Sequence, residues 1–148
     1  MRGRVAVLAL AGVLACTGEP ARPAVEYLPM TGGGRLPFSA AARVGSTLYL
    51  SGQIGTDSTL HLVPGGIGPE TRQTMENIRA ILAQSRATLD DVIRCTVMMA
   101  DMKEWGDMNR VYAGFFSKHR PARSAFGATG LALGARVEIE CIAVVPPA

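Results

Sequence analysis

Two charged side chains near the end of the chain could act together on a small substrate. Arg123 follows Pro121 and Ala122, and Glu138 lies in an alternating stretch, residues 137–141, that predicts a β-strand facing Arg123. A guanidinium presents parallel donors that bind a carboxylate at two points, and a glutamate can orient a water molecule and take its proton. The pair therefore suits hydrolysis of a small acid whose reacting carbon lies next to its carboxylate. An imine at that carbon is already electrophilic, so positioning water would suffice without a metal or prosthetic group.

The same residues also have a purely structural interpretation. Arg123 and Glu138 could form an ion pair that holds strands together, because pairing a partly buried glutamate costs less than leaving it unpaired. Glu140 is interpreted as a second structural carboxylate. Ser51 and Ser124 have no neighbouring histidine and acid in the sequence, which argues against a serine hydrolase.

Two motifs indicate a family resemblance. PARSA at residues 121–125, a short Gly-rich span and then VEIECIAVV at residues 137–145 resemble the C-terminal signature of the Rid family, the YjgF-like imine deaminases. SGQIG at residues 51–55 resembles a second motif of this family, and the resemblance covers roughly residues 25–145. It implies conversion of a 2-imino acid and water to a 2-oxo acid and ammonia. A non-catalytic module that binds small carboxylates on the same fold is the alternative.

The resemblance also implies which residues form the site. Arg123 and Glu138 take the catalytic roles: Arg123 binds the substrate carboxylate with help from the backbone N–H of Ala125, and Glu138 activates water. Phe38 stands where many members have a tyrosine that reaches the ligand, so one hydrogen bond worth about 1 kcal/mol is missing. Ala125 replaces a cysteine of several members, a change that leaves its backbone contact intact. The residues expected to line or support the substrate cleft are Ser51, Gly52, Phe38, Asn109 and Ala125.

Period-two patterns predict the strands that must place these residues. Gly45 and Ser46 predict a type II′ hairpin turn. Past Cys141 the alternation gives way to unbroken apolar residues, which predicts that the last strand runs into the interior of a sheet. Cys95 and Cys141 fall on strands and are predicted core residues, with a disulfide as the alternative. The predicted strands are residues 25–28, 43–44, 47–50, 60–63, 93–99 and the last strand from residue 137.

Two helices are predicted between the strands. The first begins at Pro69, and the second follows Asp101, which with Glu104 forms a predicted capping box. Strands followed by helices predict an α+β fold, a mixed sheet with two helices on one face. The resemblance implies a chorismate-mutase-like (YjgF-like) fold and a homotrimer with ligand clefts between subunits. The predicted core residues of the helices are Thr71, Met75, Ile78, Ile81, Leu82, Trp105, Met108, Tyr112 and Phe115, and the charged residues predicted to point outward are Glu70, Arg72, Glu76 and Arg79.

Composition and charge exclude several classes of protein. The 148 residues, 48% hydrophobic and 18% charged, are typical of one globular domain with an extension. Removing Arg2 and Arg4 with an N-terminal segment leaves 13 basic residues against 12 acidic ones. This near-neutral balance, with only two histidines, argues against nucleic-acid binding and against a ribonuclease, an activity claimed for some relatives. The three cysteines lack CxxC spacing, so no zinc site is predicted.

The N-terminal sequence predicts export. Residues 1–15 combine a basic start with an apolar run too short to span a bilayer, which is typical of a signal sequence. The residues up to Cys16 resemble a bacterial lipobox, in which Cys16 would be lipidated; an ordinarily cleaved signal and a wrongly assigned start codon are the alternatives. Residues 16–24 contain two prolines and form a predicted tether, and residues 25–146 form the Rid-like domain. The expected location is the periplasm, with the protein either free or anchored to a membrane through Cys16.

Overall fold

A mixed β-sheet carries two helices on one face. The computed structural model describes residues 22–30 and 36–145. The strands follow the order β1-β2-β3-β7-β5-β6, and the short β4 also pairs with β7. The β5–β6 pair is parallel and the other pairs are antiparallel, which confirms the predicted α+β class. The elements are β1 (Val25–Leu28), β2 (Ala41–Val44), β3 (Thr47–Leu50), β4 (Gln53–Ile54), α1 (Ile67–Gln84), β5 (Val92–Met99), α2 (Trp105–Ala113), β6 (Ala122–Gly127) and β7 (Val137–Val144).

The central strand β7 defines the two faces of the sheet. Val137, Ile139, Cys141 and Ala143 are buried against the helices, and we call this side the helix face. The alternate residues Glu138, Glu140, Ile142 and Val144 lie on the opposite side, which we call the open face. The last strand runs in the interior of the sheet, between β3 and β5, as predicted. On the open face of the single chain its end is not covered, and Val144 is 46% exposed.

The apolar stripe of α1 packs on the helix face as predicted. Its five predicted core residues are all buried. The helix begins two residues before Pro69, which occupies its first turn. Glu70 does not point outward but is 5% exposed, because its carboxylate accepts a hydrogen bond of 2.8 Å from the Arg136 backbone N–H. In α2, Met108 and Tyr112 are buried, whereas Trp105 is 39% exposed.

Local hydrogen bonds and backbone angles explain why the predicted hairpin turn forms, whereas the predicted strand at residues 60–63 and the complete capping box do not. Gly45 has a φ of +59° and joins β2 to β3, as the predicted hairpin turn requires. Residues 60–63 do not form the predicted strand, because Asp57 Oδ1 accepts hydrogen bonds from the backbone N–H groups of Thr59 and His61 and closes a turn there. The predicted capping box is only half formed: Asp101 caps a 3-10 turn, Met102–Glu104, whereas Glu104 binds Arg136 instead.

Two features of the strands β5 and β6 do not follow from the sequence patterns. The PARSA motif forms most of β6, the edge strand beside β5, although its residues have no clear period-two hydrophobic pattern. A register shift between Val92 and Arg94 also places Ile93 on the surface, so Ile93 does not share the buried side of Cys95.

A disulfide joins the two central strands. Cys95 on β5 and Cys141 on β7 are directly opposite each other in the antiparallel register, with Cα atoms 4.1 Å apart. Both are buried, as predicted, but the alternative interpretation is the one observed, because their sulfur atoms are bonded. The sheet that positions the site is therefore covalently crosslinked.

The predicted signal sequence, Cys16 and most of the tether lie outside the described residues. Within the part of the chain that is described, no helix combines the length and the apolar character that crossing a bilayer demands.

Candidate active site

In a single chain the predicted site residues form two separate groups. Phe38, Ser51, Gly52 and Glu138 line one cavity of about 740 Å³ on the open face, which we call the Glu138 cavity. Asn109, Arg123 and Ala125 instead lie on α2 and the edge strand β6. We use the name Arg123 cluster for Arg123 and the α2 residues that contact it. Each group contains one of the two predicted catalytic residues.

Glu138 lies against a backbone that only glycine permits. A Cβ atom added to Gly52 would be 2.1 Å from Glu138 Oε1, far closer than van der Waals contact allows. Burial raises the pKa of the Glu138 carboxyl above its ordinary value, and the negative charge of Glu140 raises it further. Glu140 lies two residues along the same face and lines the same cavity. A carboxylate with a raised pKa is a stronger proton acceptor than an ordinary one.

The loop beside Glu138 is fixed by hydrogen bonds. Ser51 Oγ donates to the Ser39 carbonyl at 2.7 Å, and the Ser51 N–H donates to the Ala40 carbonyl at 2.9 Å. The Gly52 N–H has no hydrogen-bond acceptor among the residues that the structure describes. This loop therefore brings a free donor to the wall of the Glu138 cavity.

Arg123 is held by one face of α2. Its guanidinium donates a hydrogen bond of 2.7 Å to Asn109 Oδ1 and lies over the Tyr112 ring, with Cζ 4.6 Å from the ring centroid. The Trp105 ring lies 5.7 Å from the same atom. Aromatic faces stabilise a cation and fix its plane without neutralising its charge.

Tyr112 has a polar atom that the packing leaves unsatisfied. Its hydroxyl is buried and forms no hydrogen bond within the described part of the chain. Burial raises the pKa of Tyr112 to about 12, although the nearby positive charge of Arg123 acts in the opposite direction. The ring therefore remains neutral at physiological pH and serves Arg123 as an aromatic surface.

Arg123 and Glu138 do not form an ion pair. The ion pairs among the described residues are Arg79–Glu76, Arg110–Asp107, Lys118–Asp90, Arg136–Glu70 and Arg136–Glu104. The structural interpretation of the motif as a strand-pairing salt bridge is therefore wrong for the single chain. Arg123 has a positive charge and, within residues 22–30 and 36–145, no carboxylate partner.

The sheet topology separates the two residues. The sequence predicts that Glu138 lies on a strand facing Arg123. This prediction is wrong within one chain, because β5 lies between β6 and β7. Arg123 is level with Cys95, whose side chain points to the helix face, whereas Glu138 is level with Met98 on the open face. Within one chain, Arg123 and Glu138 thus project to opposite sides of the sheet.

Sequence reasoning missed two contacts of Arg123. Trp105 and Tyr112 are predicted core residues of α2, and in the structure they also flank the Arg123 guanidinium. Their spacing from Asn109, four residues on one side and three on the other, places all three on one helix face. The spacing is therefore typical of a helix face that could hold an arginine, but the pattern of residues 122–127 does not indicate the strand β6 that carries Arg123.

Comparison with known proteins identifies the family. Residues 33–145, more than half of the chain, match the family described as Endoribonuclease L-PSP. The chain belongs to the Rid (YjgF-like, L-PSP) family. It is similar to the mouse protein named 2-iminobutanoate/2-iminopropanoate deaminase, with 42% identity over 112 residues that cover 75% of this chain and 83% of the mouse protein.

Two solved structures share the fold of this chain. The structure of YyfA from Yersinia pestis, a protein of the conserved Rid family, has a TM-score of 0.78 and 34% identity, covering 82% of this chain and 100% of that one. The structure of E. coli TdcF with bound serine has a TM-score of 0.72 and 29% identity, covering 81% and 94% of the two chains. The proteins to which this chain is similar therefore include one named as a deaminase and one whose structure holds bound serine.

Proposed function

We propose that this Rid protein hydrolyses small 2-imino acids, of the 2-iminopropanoate and 2-iminobutanoate type, to 2-oxo acids and ammonia without a cofactor. The main observation in favour is Arg123, a partly buried guanidinium that lacks a carboxylate partner among the described residues and is oriented by Asn109 and two aromatic rings. Such a group is preorganised for a substrate carboxylate. The name of the mouse relative and the serine bound to the E. coli relative support a small carboxylate substrate.

We further propose that the complete site forms between copies of the chain in a homotrimer. Arg123 and Glu138 cannot meet in one chain, so a second copy must supply one of them if they act on the same substrate. The open face carries exposed large apolar side chains, which favour coverage by another protein surface. They are Tyr27, Tyr49, Phe126 and Val144, all placed on this face by the strand register.

The chemistry needs only binding, water activation and proton return. Arg123 and the backbone N–H of Ala125 from one copy, together with the free Gly52 N–H of the neighbouring copy, would hold the substrate carboxylate, which places the imine carbon near Glu138 of that same neighbouring copy. Glu138 takes a proton from water as the water oxygen bonds to the imine carbon and the C=N π electrons move to nitrogen. The proton on Glu138 then passes to that nitrogen, which gives an intermediate with a hydroxyl and an amino group on the same carbon. Glu138 next takes the hydroxyl proton and passes it to the nitrogen, so that the C–N bond breaks, ammonia leaves and the oxygen becomes the carbonyl of the 2-oxo acid.

A coupled assay tests this proposal. An amino-acid oxidase generates 2-iminopropanoate from alanine, and release of the 2-oxo acid is followed with and without the purified protein. We expect the protein to accelerate this release beyond spontaneous hydrolysis. Binding of 2-oxobutanoate without acceleration would instead favour the non-catalytic carboxylate-binding module, an outcome for which Phe38 in the cavity wall offers a reason.

Glu138→Gln should separate activity from stability. The variant loses the proton acceptor, so we expect turnover to fall by roughly 10²- to 10⁴-fold. The raised pKa means that the folded protein binds a proton more tightly than the unfolded chain does, so Glu138 makes stability fall as pH rises through the window between the ordinary and the raised pKa. The neutral glutamine avoids this cost, and the melting temperature of the variant should exceed that of the wild type at pH 7, with the difference shrinking at pH 4.

Glu140→Gln is the matched control for that experiment. It removes the neighbouring carboxylate from the same cavity but leaves Glu138 in place. We expect turnover to persist within a few-fold and its acidic limb to move to lower pH, because the charge of Glu140 raises the pKa of Glu138. Equal losses of turnover in the two variants would contradict the role assigned to Glu138.

We also propose export to the periplasm, either as a free protein or anchored through a lipid on Cys16. The support is independent of the N-terminal sequence: Cys95 and Cys141 form a disulfide, and disulfides persist mainly in oxidising compartments. Cell fractionation and intact mass spectrometry of the wild type and Cys16→Ser test this. A mature protein that starts at Cys16 with added lipid mass supports anchoring, a simply cleaved protein supports the free form, and an intact cytoplasmic chain contradicts both.

A further inference from the structure

Gln53 is a buried amide directly beside the loop of the Glu138 cavity. It is 7% exposed, and its Nε2 donates hydrogen bonds to the carbonyl oxygens of Ser51 at 3.2 Å and Gly52 at 3.0 Å. Its register opposite Ile139 places the side chain on the helix face, where it borders a second cavity with Asn77 of α1. The amide therefore contacts the loop from the side opposite the Glu138 cavity.

These two hydrogen bonds determine where the loop N–H groups point. In a planar trans peptide the C=O and the N–H point in opposite directions. Because the Ser51 carbonyl is drawn toward the helix face, the N–H of Gly52 in the same peptide is directed toward the open face. Ser51 and Gly52 line the Glu138 cavity on that face, and the Gly52 N–H has no acceptor among the described residues.

Burying the Gln53 amide costs free energy, so a glutamine is favoured at this position only if its hydrogen bonds have a specific effect. The hydrogen bonds of a buried polar group replace bonds that it makes to water in the unfolded chain. Such a group therefore adds little to the free energy of folding compared with an apolar side chain of the same shape. A methionine would fill nearly the same volume, and the pairing of β4 with β7 does not depend on the Gln53 side chain. The local geometry of Ser51 and Gly52 is what the amide adds.

We propose that Gln53 is a positioning residue, which orients the Gly52 N–H toward the carboxylate of the bound substrate. This inference rests on the proposed imino-acid site and adds to it a residue that does not touch the substrate. It also assigns Gln53 a specific effect, on substrate binding more than on the water-attack step, because the N–H binds a carboxylate that is present before and after the reaction.

The test compares Gln53→Met with Gln73→Met. Gln73 lines the same helix-face cavity but donates to Asn77 and does not contact the loop, so its replacement is a matched control. For Gln53→Met we expect the Kd for 2-oxobutanoate, by calorimetry, and the KM for 2-iminopropanoate to rise about tenfold, the effect of one lost hydrogen bond to a charged group. The kcat should stay within about twofold, and Gln73→Met should match the wild type in all three.

NMR of the Gly52 amide tests the orientation of this N–H independently of substrate binding. The amide resonance of Gly52 is observed by NMR in the wild type and both variants, without ligand, and should shift in Gln53→Met only. Gln53→Glu, which keeps the shape but replaces the donor with an oxygen, should shift it as well if Gln53→Met does not fold. If the Gly52 resonance of Gln53→Met matches that of the wild type, the inference is overturned. It is also overturned if the wild type binds 2-oxobutanoate and Gln53→Met binds it with the same Kd. If the wild type neither binds 2-oxobutanoate nor hydrolyses the imine, the proposed function fails, and the Gly52 resonance alone decides the role of Gln53.

Discussion

Replacing Arg123 by alanine should reduce kcat/KM for 2-iminopropanoate by roughly 10²- to 10⁴-fold. The guanidinium can form two charge-assisted hydrogen bonds to the substrate carboxylate, and each contributes about 1.5–3 kcal/mol. Arg123 is positioned for this by Asn109 and Tyr112 rather than neutralised by a carboxylate of the described chain. The measurement is the coupled oxidase assay, with the melting temperature recorded to exclude unfolding.

Two further variants show whether the geometry of Arg123 or only its charge matters. Arg123→Lys keeps the charge but loses the planar pair of donors and the fit against Tyr112, so it should recover only part of the activity. Arg110→Ala removes an exposed arginine next to Asn109 on α2, one that pairs with Asp107, and should leave turnover unchanged. Wild-type activity in Arg123→Ala, in a folded protein, would contradict the assigned role.

Breaking the Cys95–Cys141 disulfide should lower the free energy of unfolding by about 4 kcal/mol. The crosslink joins residues 46 positions apart, and closing a loop of that length in the unfolded chain accounts for about this amount in the chain-entropy treatment. The loop contains α2 and β6, so the crosslink restrains the unfolded ensemble of the segment that carries Arg123. Urea unfolding of the oxidised protein and of the reduced, alkylation-free protein measures the difference.

The third cysteine must be removed from this comparison. In a Cys16→Ser background only Cys95 and Cys141 can react. The double variant Cys95→Ala, Cys141→Ala should show the same loss of unfolding free energy without a reductant, plus the cost of the removed side-chain volume. Both bonded sulfur atoms belong to buried residues, so reductant should act slowly on the native protein and quickly in urea. Equal stability of oxidised and reduced protein would show that the crosslink does not form.

Patterns that depend on neighbouring residues were readable from the sequence. The alternation around Glu138, the apolar stripe of α1 and the turn at Gly45 each follow from a local period or a local backbone preference, and all are present in the structure. The motif resemblance also indicated Arg123 and Glu138. The family and the α+β class were therefore predictable.

Features that depend on which strands and helices become neighbours in space could not be predicted from the sequence. The position of β5 between β6 and β7 separates Arg123 from Glu138, and no period in the sequence encodes that order. The contacts of Gln53 with Ser51 and Gly52 are likewise invisible, because a glutamine in a strand pattern reads as an ordinary polar residue. For Cys95 and Cys141 burial was predictable, but their pairing required the register of two strands far apart in sequence.

The most direct test of the shared site mixes two inactive variants. Arg123→Ala and Glu138→Gln copies are purified separately, then unfolded and refolded together in equal amounts. If each site takes Arg123 from one copy and Glu138 from its neighbour, every mixed trimer contains one intact site, and random assembly should restore about a quarter of wild-type turnover. Turnover that stays at the level of the separate variants, although mixed trimers form, would contradict a site shared between copies.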